Sequence, residues 1–280
     1  MSAFQHDAFQ HDIEFQKILA GVDSVDAAGL MLEFAADVYP DLDRVACIEE
    51  LDRLADAAVR RTMQAASIED ALRLIGELLY EDEGFHGNDV EYYDSRNSYL
   101  NEVLRRRTGI PISLGIVYMI VAQRADLPVY GTGMPGHFVL GCESEGQEPV
   151  YIDPFAGGEV LDRDRCRQRV KTMTGQAPSE DDAFRPVSLR SIASRVLRNL
   201  KLIYAASEEW AKALPVQQRL VLLCPKIESE RRDLGLVLLQ NGRPHQALQF
   251  LEKYAANRPT EKPALNAFLQ AARRMAAEMN

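Results

Sequence analysis

The sequence predicts an α+β fold in which a small antiparallel sheet lies between two helical regions. Three observations support this: apolar residues recur with helical spacing over the first eighty positions, short strand-like runs follow Pro128, and helical spacing returns at Ser188. Because 46% of the 280 residues are hydrophobic, the chain is long and apolar enough to bury a sizeable core.

Three helices are predicted in the first part of the chain. The first begins near Ser24, whose hydroxyl can cap it, and the second runs from about 43 to 64 along one apolar stripe. The third starts at Ser67, which resembles a capping box together with Asp70. The first twelve residues, MSAFQHDAFQHD, are polar and acidic and favour a mobile tail. We therefore predict a helical N-terminal subdomain over residues 1–84.

The middle of the chain combines helix and strand signals. A loop is predicted over Glu81–Ser95 and a short helix over Ser98–Arg107. A further helix starts after Pro111 and continues to Arg124, and since it is apolar almost all round we expect it to be central and buried.

A hairpin is predicted behind this buried helix. The expected strands are Val129–Gly131, His137–Cys142 and Pro149–Asp153. Glu143–Glu148 forms the polar turn, Asp162–Lys171 a short arginine-rich helix, and Thr172–Asp182 a mobile loop. The mixed core therefore covers residues 85–182.

The remainder, residues 183–280, is predicted to be helical. Asn241 and Gly242 separate two amphipathic helices, and a third follows Pro259, which is the spacing of a helix-turn-helix repeat with one full unit. Because one repeat cannot bury its own apolar face, it should dock on the helices predicted over Ser188–Leu223.

Charge and cysteine usage restrict the function classes. The net charge is −10, and residues 1–100 carry 22 acidic and 7 basic side chains, which argues against non-specific nucleic-acid binding. The sequence has no run of eighteen apolar residues and no secretory signal, so we expect a cytoplasmic protein without a membrane span. Its four cysteines form no CxxC pair, so we expect reduced thiols and neither a metal site nor a cofactor.

Three polar residues form a candidate catalytic site. Ser113 lies at the start of the buried helix, where free N–H groups and the positive helix end favour an anion. If the turn is symmetric about Glu145, His137 lies directly opposite Asp153, with Cβ atoms about 4.5–5.5 Å apart, and the carboxylate can orient the imidazole. A nucleophile beside such a pair is the arrangement that acyl transfer needs.

The motifs GIPISL, PGHF and YIDPF with a following GG resemble the SirB-type bacterial proteins. These form a branch of the transglutaminase-like superfamily and join a papain-like core to a tetratricopeptide-like tail. The resemblance is strong over Phe85–Leu161 and implies that Ser113, His137 and Asp153 occupy the positions of a Cys-His-Asp triad. Serine at the cysteine position argues against transglutaminase or cysteine-protease activity, and it is also common in the SirB-type branch.

Two functions remain open. In the first, the protein is a catalytically degenerate module that binds a protein or peptide partner, with Ser113 capping its helix and His137 and Asp153 kept as a structural pair. In the second, it is an acyl-transfer enzyme or amide hydrolase with Ser113 as nucleophile, His137 as base and Asp153 orienting that base. For Cys166, flanking arginines would lower the thiol pKa if they faced the sulfur, but we favour the interpretation that they form a solvated helix face.

Overall fold

The computed structural model describes residues 7–134, 136–143, 146, 148–175 and 183–279. The chain forms two compact units. The central unit is Asp23–Val196, and the tail unit combines the residues up to Val22 with those from Leu197 onward. The division into three parts that the sequence suggested stays a prediction.

The described residues contain twelve α-helices and six short strands. The helices are α1 (Ile13–Ala20), α2 (Ala27–Ala36), α3 (Arg44–Thr62), α4 (Ile68–Gly76), α5 (Leu100–Arg106), α6 (Pro111–Arg124), α7 (Arg163–Thr174), α8 (Leu189–Ala206), α9 (Trp210–Leu223), α10 (Glu228–Gln240), α11 (Pro244–Asn257) and α12 (Lys262–Glu278). The strands are β1 (His86–Gly87), β2 (Thr108–Gly109), β3 (Val129–Gly131), β4 (Leu140–Cys142), β5 (Val150–Asp153) and β6 (Glu159–Leu161). The predicted α+β fold is confirmed.

The three predicted N-terminal helices are present as α2, α3 and α4. The predicted Ser24 cap is wrong, because α2 begins later and the Asp26 carboxylate accepts the backbone N–H of Gly29 at 2.9 Å. The Ser67 cap is confirmed, since its hydroxyl accepts the N–H of Asp70 at 3.0 Å. Each helix therefore starts at the polar residue directly before its first helical turn.

The segment predicted as a loop is more ordered than expected. Glu77–Asp82 forms a π-helix, and β1 pairs in parallel with β2, with His86 opposite Thr108 and Gly87 opposite Gly109. This pairing joins the segment before α5 to the start of α6. The segment is thereby held beside the residues that precede the buried helix.

Helix α6 confirms the prediction of a central buried helix. It begins at Pro111, and every residue from there to Ala122 is buried. Proline suits the first helical position because its fixed φ matches the helix and its missing N–H has no partner there in any case.

The sheet of the central unit is antiparallel, with strand order β3-β4-β5-β6. Strand β4 begins at Leu140 rather than His137, and β6 was not predicted. The predicted register would place Leu140 opposite Val150, whereas Leu140 lies opposite Ile152, so that register is wrong by two residues. Its assumed centre, Glu145, lies outside the described residues.

The structure describes the predicted arginine-rich helix and only part of the predicted loop after it. The predicted arginine-rich helix is present as α7, which continues to Thr174, so the start of the predicted mobile loop at Thr172 is helical instead. The rest of that loop, from 176 to 182, lies outside the described residues.

In the tail unit, α10, α11 and α12 confirm the predicted helix pair and the helix after Pro259. Helix α10 packs on α9, as the argument from a single repeat requires. Among the residues that the structure describes, no helix combines the length and hydropathy that a membrane span requires.

The described part of the N-terminal segment, from Asp7 onward, is folded, contrary to the mobile tail that its polarity suggested. The guanidinium of Arg219 is fully buried and lies 4.0 Å from the ring centroid of Phe9 and 4.7 Å from that of Phe15. The same group pairs with Asp12 at 2.6 Å. These contacts hold α1 and the residues before it against α9.

Candidate functional site

The hydroxyl of Ser113 is engaged in the first turn of α6. Ser113 is 3% exposed, and its Oγ accepts the backbone N–H of Ile110 at 3.0 Å and donates to the carbonyl oxygen of Asn97 at 2.5 Å. The same Oγ atom lies 3.1 Å from the carbonyl oxygen of Ile110. The side chain thus satisfies one of the N–H groups that a helix start leaves without an internal partner.

His137 and Asp153 lie together inside the central unit. The Nε2 atom of His137 is 3.0 Å from Oδ1 of Asp153, and both side chains are almost completely buried. They meet although the strand register does not place them opposite each other, because His137 precedes β4 and Asp153 ends β5. Neither ring nitrogen has a well-aligned hydrogen bond to any of the described residues, although Nε2 lies within hydrogen-bonding distance of the Asp153 carboxylate.

The Asp153 carboxylate is fixed by several donors. Its Oδ1 accepts the backbone N–H groups of Phe155 at 3.0 Å and Ala156 at 3.2 Å, and Oδ2 accepts Nη1 of Arg169 at 3.0 Å. Burial alone would raise the pKa of this carboxyl, but His137, Arg169 and the N–H of Phe155 together lower the pKa below its ordinary value. Asp153 is therefore charged at neutral pH and cannot rotate freely.

Two arginines that the sequence did not single out position this pair. Arg169 of α7 contacts Asp153 directly and also pairs with Glu159 at 2.6 Å. Arg195 of α8 donates to the carbonyl oxygen of His137 at 2.8 Å. The arginine-rich pattern of α7 was a signal for the first, whereas nothing local in the sequence marked the second.

Helix α6 packs directly against the segments that carry the pair. A Cβ atom added to Gly115 would lie 2.7 Å from the Phe138 ring and 3.4 Å from Pro154, so only glycine allows this approach. The elements that carry the three predicted residues therefore converge. The structure joins His137 to Asp153, but the Ser113 hydroxyl makes its hydrogen bonds to Asn97 and Ile110 and not to the imidazole.

A cavity of about 480 Å³ opens beside the pair. It is lined by His137, Asp153, Phe155, Ala156, Leu161, Arg165, Gln168, Arg169 and Thr172. Both arginines of this lining have acidic partners. Arg169 pairs with Asp153 and Glu159, and Arg165 pairs with Glu159 at 2.5 Å. The cavity thus combines one aromatic wall with a polar, largely charge-compensated wall.

The buried cysteines do not contribute a reactive group. Burial raises the pKa of the Cys166 thiol to about 12 and that of Cys142 to about 11. The alternative in which flanking arginines activate Cys166 is therefore wrong. Within the described ranges, no cluster of three or more metal-ligating side chains is found.

The sequence model of the transglutaminase-like superfamily matches residues 46–198, which is more than half of the chain. The chain belongs to the transglutaminase-like superfamily. A tetratricopeptide repeat model matches residues 200–279, so this transglutaminase-like protein carries a repeat region of the kind that forms protein-binding surfaces.

The similar proteins come from bacteria and from animals. A UPF0162 protein of Xylella fastidiosa strain Temecula1 is 36% identical over 231 residues, covering 80% of each chain. A UPF0162 protein of Vibrio cholerae is 30% identical over 66% of this chain and 67% of its own. Human F-box only protein 21 is 32% identical over 44% of this transglutaminase-like chain and 20% of its own length. No solved structure gives a significant match.

Proposed function

We propose that this chain is a SirB-type, catalytically degenerate member of the superfamily and that it acts as a protein-interaction module. One observation carries the proposal: the hydroxyl of Ser113, which the resemblance puts at the position of the family's nucleophile, donates to the oxygen of Asn97 at 2.5 Å. A serine nucleophile has to give its proton to a base during attack. Here that proton is directed to a backbone carbonyl.

The other half of the site supports the same conclusion. His137 and Asp153 keep the contact of a base with its orienting carboxylate, at 3.0 Å. Such a pair activates a nucleophile only through a hydrogen bond between base and nucleophile. Neither ring nitrogen of His137 has such a bond within the described part of the chain. The pair therefore serves to hold the walls of the cavity.

The tail region and the cysteines fit this function. Stacked helical repeats form extended surfaces for protein partners, and a repeat model matches residues 200–279. All four cysteines are free thiols, and a cytoplasmic location is part of this proposal.

A second candidate is an acyl-transfer enzyme or amide hydrolase that acts on a peptide or protein. The buried contact between His137 and Asp153 favours it, because that contact is the one an activated base requires. In this alternative, substrate binding turns the Ser113 hydroxyl away from Asn97 and toward the imidazole.

A serine-directed fluorophosphonate probe distinguishes the two functions. We expect no labelling of the purified full chain by intact mass spectrometry, under conditions in which a known serine hydrolase is labelled completely. Ser113→Ala, His137→Ala and the matched buried control Ser98→Ala are tested in parallel. Labelling that disappears in the first two variants and persists in Ser98→Ala contradicts the proposal and supports the hydrolase.

A further inference from the structure

We propose that the partner is bound by the loop Asn88–Asp94, here called the aromatic loop, beside the cavity of His137 and Asp153. The partner is a peptide segment in which an aromatic or aliphatic side chain stands next to lysine or arginine. The proposal rests on the protein-interaction function proposed above and assigns its surface and the chemistry of its partner.

The aromatic loop exposes three large hydrophobic side chains within four residues. Val90 is 89% exposed, more than any other large hydrophobic residue of the described chain, and Tyr93 and Tyr92 are 76% and 38% exposed. Single exposed hydrophobic residues are ordinary, whereas a contiguous group marks an interaction site. Tyrosine is also enriched among the residues that dominate binding energy at interfaces.

This loop and the cavity form one continuous surface. The Tyr92 ring meets the Phe155 ring edge-on, with centroids 6.3 Å apart, and Phe155 lines the cavity with His137 and Asp153. A Cβ atom on Gly87 would lie 2.5 Å from the Phe155 ring, so the glycine before the loop permits this approach. A peptide held by the loop therefore reaches the mouth of the cavity.

Buried hydrogen bonds hold the aromatic loop in one conformation. The side chain of Asn97, which is fully buried, donates to the carbonyl oxygens of Glu91 at 2.7 Å and Tyr92 at 3.3 Å. The side chain of Asn88 accepts the N–H of Glu91 at 2.9 Å. Since little ordering is left to occur on binding, the loop is a pre-organised surface.

The same asparagine connects the loop to Ser113. Its backbone oxygen accepts the Ser113 hydroxyl while its side chain holds the loop. Ser113 is thus a positioning residue for the aromatic loop. The position that carries the nucleophile elsewhere in the superfamily here supports the partner-binding surface.

Charge on the loop selects the partner. Asp89 and Glu91 are exposed, and within the described ranges neither carboxylate forms an ion pair, whereas Asp94 pairs with Arg96 at 2.6 Å. Arg96 lies close enough to Glu91 for the two charges to interact, but its direct partner is Asp94. Asp89 and Glu91 therefore present two exposed carboxylates beside apolar side chains, which attract lysine or arginine and repel acidic segments. A basic segment with an apolar anchor therefore matches both features of the loop.

The test uses fluorescence anisotropy with the full chain and three ten-residue peptides labelled with fluorescein. The first has a central Leu-Trp pair flanked by arginines, the second has glutamates in place of the arginines, and the third has Ser-Ser in place of Leu-Trp. We expect the first to bind at least about tenfold more tightly than either of the others, because anchor and charge both contribute.

Matched variants locate the binding surface. Val90→Ser and Tyr93→Ser should each weaken binding of the first peptide by about fivefold or more, the effect of losing an interface anchor. Val45→Ser makes the same change at another exposed valine, 67% exposed on α3, and should leave binding unchanged. Glu91→Lys should weaken binding of the first peptide and strengthen binding of the glutamate peptide. All four positions are exposed, so the variants should fold normally.

Ser113→Ala separates a positioning role from a purely structural one. It should speed hydrogen exchange of the Asp94 backbone amide, which donates to the Glu91 carbonyl oxygen at 3.1 Å. Under conditions in which the variant is fully folded, it should also weaken binding of the first peptide several-fold. Unchanged exchange and unchanged binding would overturn the role of Ser113.

The remaining outcomes distinguish an error in the loop assignment, an error in the assigned partner and a failure of the proposed function. If the first peptide binds and Val90→Ser behaves like Val45→Ser, the loop assignment is wrong while the protein-interaction function stands. No binding of any peptide, a preference for the glutamate peptide, or self-association of the chain that the loop variants abolish overturns the assigned partner. Fluorophosphonate labelling of Ser113 is a different failure, since it removes the proposed function itself.

Discussion

Replacing Ser113 by alanine should destabilise the central unit by an amount that follows from two hydrogen bonds. The hydroxyl is 3% exposed, accepts the N–H of Ile110 and donates to the oxygen of Asn97. Alanine leaves both buried backbone groups without this partner, and each such group costs about 1–3 kcal/mol. We therefore expect the free energy of unfolding to fall by about 2–6 kcal/mol.

Ser98 provides the matched control for this measurement. It is also buried, at 5% exposure, and its hydroxyl has no hydrogen-bond partner among the described residues. Ser98→Ala should therefore change the stability by less than about 1 kcal/mol or increase it. Urea titrations followed by circular dichroism, with unchanged m-values, measure both variants. Equal losses in Ser98→Ala and Ser113→Ala would refute the capping role of Ser113.

Three further predictions follow from the buried groups. In the folded protein, two of the four thiols should react with Ellman's reagent and those of Cys142 and Cys166 should react only after urea is added, because burial raises their pKa values to about 11 and about 12. The pKa of Asp153 is lowered on folding, so its stabilising effect is complete above the unfolded value of about 3.9 and is lost as the pH falls toward the folded value. Asp153→Asn should accordingly lose less stability than the wild type in urea titrations between about pH 5 and pH 3. Arg219→Met should lower the stability of the tail unit by about 3 kcal/mol in thermal unfolding, since Asp12 loses its partner, and adding Asp12→Asn should recover part of that loss.

The helices could be predicted because their signals are local. Pro111 fixes the start of α6, and the apolar residues that follow it identify a buried helix without any knowledge of its neighbours. Ser67 likewise marks the start of α4. The cap of α2 is Asp26 and not Ser24, because Asp26 lies two residues later, offers the same chemistry and is directly before the first helical turn.

Features that depend on distant residues could not be predicted. The register of β4 and β5 requires the path of the turn, and an error of two residues there keeps every side chain on its expected face. This is why the contact between His137 and Asp153 was anticipated from a register that is wrong. Helix α1 depends on Arg219, some two hundred positions away, and its polar sequence gives little sign of that contact.

The resemblance puts Ser113 at the position where the superfamily has its cysteine, and in our proposal this difference has a direct physical consequence. Sulfur is a weak hydrogen-bond donor and acceptor, so a cysteine at this position is poorly held by backbone groups and is free to turn toward an imidazole as a thiolate. A hydroxyl is a strong donor and acceptor at once, and in this chain both capacities are used, by Ile110 and Asn97. Because Asn97 also holds the backbone of the aromatic loop at Glu91 and Tyr92, the serine that we propose as the replacement of the nucleophile would also anchor the proposed binding surface.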